Sequence, residues 1–209
     1  GNSSSGTTLK SIMASRVVRS SKYRHVFANA QKPDNCYNGI KASRAAWDSN
    51  KIKANTKFVS VIWEASGGGS FWVHPVAKTG RLAAGSLPLV SGHKGDVLDM
   101  DFNQHNENLI ASVSEDCYVK LWQIPDEGLT ATMTEPIQSL QGHRRKVGTC
   151  DFHPTANNVL ATTSADLEVK IWDVEAGKCL DTIKGHTDIP QSLCWNSDGS
   201  KFATSCKDK

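Results

Sequence analysis

The sequence has no uninterrupted apolar run near the roughly 18 residues that a membrane-spanning helix requires. Its opening residues are rich in Ser, Gly and Thr, and no apolar run follows a basic start as it would in a secretory signal. Both absences point away from membrane-embedded and secreted proteins. We therefore expect a cytoplasmic protein without a transmembrane segment.

Clustered metal ligands and nucleotide-binding loops are also missing. The six cysteines stand singly, without a C-x-x-C pair or a tight His/Cys cluster, so the sequence predicts reduced thiols and no metal site. The glycine run 67–69 is not followed by the Lys-Ser or Lys-Thr of a phosphate-binding loop, which favours a flexible hairpin. The sequence predicts neither a cofactor nor an enzyme.

Charge is unevenly distributed along the 209 residues, of which 38% are hydrophobic and 22% charged, as is typical of globular proteins. Residues 1–60 contain 11 Lys and Arg against two Asp and Glu, whereas residues 61–209 contain 13 against 19. A basic segment suits an acidic partner, such as nucleic acid, an anionic membrane surface or an acidic protein filament. A solvated charged surface without a partner is the alternative.

Three Gly-His pairs indicate an internal repeat. They begin at Gly92, Gly142 and Gly185, so their spacings are 50 and 43 residues. An offset of 50 carries five landmarks of the first repeat onto the second: His93 onto His143, Phe102 onto Phe152, Ser112 onto Thr162, Asp116 onto Asp166 and Trp122 onto Trp172. A third repeat follows, with Trp195, Thr204 and Asp208 at corresponding positions. A fixed period of this length is typical of repeat proteins.

Polar and apolar residues alternate between the landmarks, as they do in half-buried β-strands. In the second repeat, strands are predicted at residues 146–152, 158–163, 168–174 and 178–183. Each repeat is therefore predicted to be a four-stranded antiparallel blade of a β-propeller. Residues 36–90 are interpreted as a divergent blade without a Gly-His pair, whose first three strands are predicted at 45–48, 57–64 and 70–76.

The repeat length and the Gly-His to Trp172-Asp173 pattern resemble the WD-repeat family, although Gln123 follows Trp122 where Asp would complete the pattern. The resemblance implies an all-β WD-repeat β-propeller, with about four blades present of an expected seven. It also implies one hydrogen-bonded network per blade, in which a histidine, a hydroxyl, a carboxylate and an indole satisfy one another. The predicted members are His93, Ser112, Asp116, Trp122, His143, Thr162, Asp166 and Trp172.

Three further stretches resemble the coronins, a family of WD-repeat proteins that bind actin filaments. Residues 15–27 resemble the basic opening of coronins, residues 36–48 follow at the family's spacing, and residues 64–71 resemble its divergent first blade. We expect residues 1–14 to be a disordered leader or a tag remnant, and residues 15–209 to be a partial coronin-type propeller. Its blades are expected at about 36–90, 91–140, 141–184 and 185–209, the last being incomplete.

The resemblance implies binding to F-actin through basic residues. In coronins a basic residue just before the divergent blade, commonly Arg, is important for filament binding, and this sequence has Lys41 there. Lysine keeps the charge but lacks the planar fork that holds a carboxylate by two hydrogen bonds. The predicted filament contacts are Lys41, Arg44, Lys22 and Arg24. Contact with the actin-nucleating complex and oligomerisation would depend on a coiled coil, and this sequence has no heptad segment.

Other functions compete with filament binding. Ser112, His93 and Asp116 are the residue types of a hydrolase triad, but an active site needs one such set and here the set recurs in consecutive repeats. The acidic remainder of the chain and the lack of a recognised module disfavour nucleic-acid binding. Residues 144–146, Arg-Arg-Lys, either extend a basic binding face or are simply solvated. The remaining alternative is a general WD-repeat scaffold for trafficking or signalling partners, with actin binding secondary.

Overall fold

The computed structural model describes residues 31–65, 69–82 and 87–208. The chain divides into two units, 1–31 and Lys32–Lys209, and the described strands all belong to the second. Apart from a 3₁₀ turn at Pro33–Asn35, the regular structure in these ranges is β-strand. The prediction of an all-β protein is therefore confirmed.

Most strands in the described ranges contain five to seven residues. In chain order they are β1 (Tyr37–Asn38), β2 (Ile52–Ala54), β3 (Phe58–Trp63), β4 (Ser70–Pro75), β5 (Gly80–Arg81), β6 (Val90–Ser91), β7 (Val97–Phe102), β8 (Leu109–Ser114), β9 (Tyr118–Gln123), β10 (Gln138–Gln141), β11 (Val147–Phe152), β12 (Val159–Ser164), β13 (Glu168–Asp173), β14 (Lys178–Lys184), β15 (Pro190–Trp195) and β16 (Phe202–Cys206).

The strands assemble into separate sheets. Strands β2, β3, β4 and β6 form one antiparallel sheet, which we call the divergent sheet. Strands β7 to β10 form the first repeat sheet and β11 to β14 the second repeat sheet, each pairing in chain order. Strands β15 and β16 form the third repeat pair, and β1 pairs in parallel with β5. Such four-stranded antiparallel units are the blades of propellers.

The first strands of consecutive sheets lie side by side: β2 against β7, β7 against β11, and β11 against β15. Carboxylates on these strands cross between sheets, since Asp101 accepts a hydrogen bond from the Phe152 N–H (2.9 Å) and Asp151 accepts one from the Trp195 N–H (3.1 Å). Sheets whose first strands adjoin in this way are arranged radially, as in a β-propeller. The predicted propeller fold is thus confirmed.

Apolar side chains fill the space between neighbouring sheets. Phe58 and Phe71 of the divergent sheet share a buried cluster with Trp122 of the first repeat sheet, and the Phe71 and Trp122 rings meet edge to face at 6.1 Å. Phe152 and Trp172 belong to a second cluster, to which the first repeat sheet also contributes. Burying each of these large side chains stabilises the fold by about 1.5–3 kcal/mol.

The strands predicted for the second repeat agree with the structure within one residue at each end. The strand predicted at residues 45–48 is wrong, because the first strand of the divergent sheet is β2. Half-buried and exposed residues alternate over 45–48 in the structure, as they would in a strand. However, the backbone turns tightly there: the Trp47 N–H donates to the Ala45 carbonyl (2.9 Å), and the Ser49 N–H donates to the Trp47 carbonyl (3.0 Å).

Candidate functional site

One chain of hydrogen bonds joins the four predicted network residues of the first repeat. The Trp122 indole N–H donates to the Ser112 hydroxyl oxygen (2.9 Å), which lies 2.8 Å from His93 Nε2. On the other side of the ring, His93 Nδ1 lies 2.9 Å from an Asp116 carboxylate oxygen. Because an indole nitrogen only donates, the hydroxyl proton is free to go to Nε2, which leaves the Nδ1 proton for the carboxylate. Each of the four side chains then has a partner.

The second repeat contains the same arrangement, and the described residues of the third contain its histidine, hydroxyl and carboxylate. In the second repeat the Trp172 indole N–H donates to the Thr162 hydroxyl (2.8 Å), and His143 lies 2.9 Å from both Thr162 Oγ1 and Asp166 Oδ2. His186 of the third repeat lies 2.8 Å from Thr204 Oγ1 and 3.0 Å from Asp208 Oδ2. The structure therefore brings together both sets of residues that the sequence pattern grouped.

The burial of the network side chains determines which chemistry they can take part in. Ser112 is fully buried, and the His93 side chain is 1% exposed. Burial by itself would raise the pKa of Asp116, but the hydrogen bonds from His93 and from the Lys94 and Tyr118 N–H groups lower it to about 2. A substrate carbonyl cannot approach a hydroxyl that is buried and already bonded to an indole and an imidazole. The geometry therefore does not support the hydrolase hypothesis.

Two of the predicted filament contacts lie beside Glu64, directly after β3. The Lys41 carbonyl accepts a hydrogen bond from the Glu64 N–H (2.9 Å), and Arg44 Nε lies 3.5 Å from a Glu64 carboxylate oxygen. The Lys41 side chain is exposed, and among the described residues it forms no ion pair. The Arg44 side chain is 86% exposed, so its ion pair with Glu64 is a weak surface contact. The other two predicted contacts, Lys22 and Arg24, lie outside the described residues.

Among the other cations of the basic segment, Lys51 and Lys53 have partners inside the fold, and Lys57 forms an exposed ion pair. Lys51 Nζ donates to the Ala45 carbonyl (2.7 Å), and Lys53 Nζ pairs with an Asp101 carboxylate oxygen at 3.0 Å. Lys57 Nζ lies 3.2 Å from an Asp126 carboxylate oxygen. The excess of Lys and Arg in residues 1–60 therefore overstates the positive charge that this segment can offer to a partner.

Acidic side chains cluster where the first strands of the sheets meet, a feature that sequence analysis missed. Burial raises the pKa of Asp99 to about 7, although the charge of Lys53 acts to lower it. Burial and the neighbouring Asp101 raise the pKa of Asp151 to about 6. A signal was available, since Asp101 and Asp151 stand at the same place in two repeats, each directly before a phenylalanine.

One group of described side chains has the composition of a metal site. Ligand atoms of His186, Cys206 and Asp208 lie within 4.8 Å of one another. The imidazole and the carboxylate are already hydrogen-bonded at 3.0 Å, as in the two preceding repeats. We therefore assign His186 and Asp208 to a third copy of the network, in which both side chains are only partly buried.

No helix in the described ranges combines the length and the apolar character that crossing a bilayer demands.

Comparison with known proteins places these features in a family. Residues 16–81 match the family described as "Domain of unknown function (DUF1899)". Residues 84–123, 134–173 and 177–209 match "WD domain, G-beta repeat". The repeat matches cover more than half of the chain, and together with the fold they define a WD-repeat propeller protein.

Two of the more specific relatives are coronins. Coronin-A of Dictyostelium discoideum is 58% identical over 195 residues, which cover 93% of this chain and 43% of that protein. The crystal structure of the WD40 domain from Toxoplasma gondii coronin matches with a TM-score of 0.77 and 28% identity, over 83% of this chain and 44% of that chain. The chain belongs to the WD-repeat family and is a homologue of coronins over most of its length. It spans less than half the length of the curated relative.

Proposed function

We propose that this chain binds actin filaments through a basic propeller surface and thereby helps to organise the actin cytoskeleton. Its resemblance to coronins implies filament binding, and its 58% identity to Coronin-A extends over 93% of the chain. The structural observation that carries the proposal is the exposed Lys41 beside the exposed Arg44. Lys41 occupies the position at which coronins have a basic residue for filament contact.

Backbone hydrogen bonds support the presentation of these cations. The Ser43 N–H donates to the Ile62 carbonyl (2.8 Å), and the Glu64 N–H donates to the Lys41 carbonyl (2.9 Å). This short stretch is therefore paired to β3 and to the residue after it, and both long side chains extend into solvent. Fixed cations attract an acidic filament and help to orient it, and salt weakens that attraction.

Further parts of the proposal concern the surroundings of the site. Lys22 and Arg24 lie outside the described residues, and we propose them as further filament contacts because each adds a positive charge to the sequence. The protein would then act in the cytoplasm, at the actin cytoskeleton. Contact with the actin-nucleating complex would involve regions other than these residues.

Co-sedimentation with actin filaments tests the proposal. We would compare the full-length protein with its Lys41→Glu variant and with a matched control, Lys178→Glu, whose exposed side chain lies on β14 of the second repeat sheet. The parent and the control should pellet at low salt and progressively less as salt rises. Reversal at Lys41 should weaken binding about tenfold, since it replaces attraction by repulsion.

Two results would count against this function. If both variants lost the same amount of filament affinity, binding would depend only on the net charge of the protein and not on Lys41 in particular. If neither the folded parent nor the variants pelleted at any salt concentration, the general scaffold hypothesis would replace actin binding.

A further inference from the structure

The stretch that presents Lys41 and Arg44 continues to Ser49 without regular secondary structure. Its start is paired to β3, as described above. Its middle is braced by Lys51, whose ammonium donates to the Ala45 carbonyl at 2.7 Å and lies 3.3 Å from the Ser43 carbonyl oxygen. The far end of the stretch is held by a different sheet.

Trp47 provides that distant contact. Its indole N–H donates to the carbonyl oxygen of Gly148 (2.8 Å), a residue 101 positions later in the chain. Gly148 lies on β11, the first strand of the second repeat sheet. Lys146 lies nearby, with its Nζ 4.9 Å from the centre of the Trp47 ring, where a cation is attracted to the face of the indole. The indole thus joins the segment before the divergent sheet to the second repeat sheet.

Residue 148 must be glycine because the Trp47 ring leaves no room for a Cβ atom. A Cβ at this position would lie 2.1 Å from Trp47 Cζ2 and 2.9 Å from Trp47 Cε2, far inside contact distance. The Gly148 φ angle is outside the left-handed region, so the backbone does not by itself demand glycine.

The other repeats do not have glycine at this place. The ladder register shifts between Val97 and Asp99, between Val147 and Thr149, and between Pro190 and Ser192. The residues at these three irregularities are Leu98, Gly148 and Gln191. Only the second repeat therefore combines this bulge with an open slot for a ring.

We propose that Trp47, seated against Gly148, is a positioning residue that holds Lys41 and Arg44 in the orientation needed for filament contact. This inference rests on the proposed function. Trp47 does not itself need to touch the filament, because it acts by restricting the backbone that carries the two cations. Restricting that backbone before binding lowers the ordering cost of association.

Variants at both ends of the contact test the anchor. Gly148→Ala should expel the ring by filling the slot, Trp47→Ala removes the ring, and Trp47→Phe keeps an aromatic ring but loses the N–H donor. Thr149→Val is the matched control on the same strand, because it removes a buried hydroxyl that bonds Thr163 at 2.6 Å. The control should destabilise the second repeat sheet without altering the slot.

Amide hydrogen exchange, measured on the full-length protein without actin, reports whether the anchor exists. Gly148→Ala and Trp47→Ala should speed exchange in residues 41–50, with Trp47→Phe intermediate and Thr149→Val unchanged there. Unchanged exchange in both anchor variants would overturn the proposal, because the stretch would then be held without the ring.

Filament affinity reports whether the anchor positions the cations. Gly148→Ala and Trp47→Ala should each weaken filament binding by roughly fivefold, and the two changes combined should weaken it no more than one alone. Neither should add to the loss caused by removing both cations in the Lys41→Ala, Arg44→Ala variant. Faster exchange with unchanged affinity would overturn the positioning role, as would losses that simply add. A folded parent that fails to bind filaments would instead refute the proposed function, whatever the exchange data show.

Discussion

The divergent sheet and the two repeat sheets have the same four-stranded antiparallel form but different internal chemistry. Each repeat sheet is closed by a buried chain from an indole to a carboxylate, with separations of 2.8–2.9 Å. The divergent sheet contains stacked rings instead. Trp72 lies parallel to His74, with centroids 4.7 Å apart, and Trp63 packs on Trp72 at 6.3 Å. One blade topology can therefore be stabilised either by a polar network or by aromatic packing.

This difference bears on function. In the repeat sheets the network side chains satisfy one another, so they offer little to a partner. The segment before the divergent sheet carries Lys41 and Arg44 outward, while Lys53 of β2 is turned inward to Asp101. Regular repeats thus supply a stable frame, and the irregular segment supplies accessible charge.

The largest expected effect comes from two fully buried serines, one in each kind of sheet. Ser112→Ala leaves the Trp122 N–H and His93 Nε2 without their partner, which should lower the free energy of unfolding by about 3 kcal/mol. Ser60→Ala removes only a bond from the hydroxyl to the Lys53 carbonyl (3.2 Å) and should cost about 1 kcal/mol. Denaturant titration measures both values. Equal losses would show that the network contributes no more than an isolated hydroxyl.

A smaller effect concerns the boundary between the two kinds of sheet, where Lys53 of β2 faces Asp99 of β7. The pKa of Asp99 is raised from 3.8 to about 7, mainly by burial. Between about pH 4 and pH 7 the folded state keeps a proton on Asp99 that the unfolded state releases. The stabilisation that comes from this proton is complete below about pH 4 and is lost as pH rises through about 7.

Asp99→Asn should remove that decline. Relative to the parent, the variant should gain about 1–3 kcal/mol of stability between pH 4 and pH 8. Asn keeps an oxygen that can accept the hydrogen bond from the Cys150 N–H, now 3.3 Å long. Asp116→Asn is the contrasting variant. The pKa of the Asp116 carboxyl is lowered to about 2, so the stabilisation it gives is present above about pH 4 and is lost as pH falls toward 2. If the stability of the parent and that of Asp99→Asn changed in parallel with pH, the raised pKa of Asp99 would be contradicted.

The regular part of the fold could be predicted because the residues on which it depends recur in consecutive repeats. His93, Ser112 and Trp122 recur at an offset of 50 residues, and a buried polar group needs a partner wherever it recurs. Alternation of polar and apolar residues gave the strand limits of the second repeat within one residue, since its strands follow the same pleat.

The irregular part was not predictable from local pattern. Residues 45–48 alternate between half-buried and exposed in the structure, yet they form no strand, and Trp47 is seated against a glycine in another sheet. Nothing near Trp47 identifies Gly148, and only the comparison with Leu98 and Gln191 marks that glycine as unusual. Likewise, a count of charges could not show that Lys53 is internally paired while Lys41 remains exposed.

The smallest expected effect sharpens the comparison at Lys41 itself. Lys41→Arg keeps the charge but adds a planar fork that can hold a filament carboxylate by two hydrogen bonds, so affinity should rise about two- to fivefold. The unfolding midpoint should not change, since the side chain is exposed. Lys178→Arg on β14 is the control and should alter neither quantity. If Lys41→Arg bound filaments with the parent's affinity and salt dependence, the contact would sense charge alone, and the geometry of the cation would not matter.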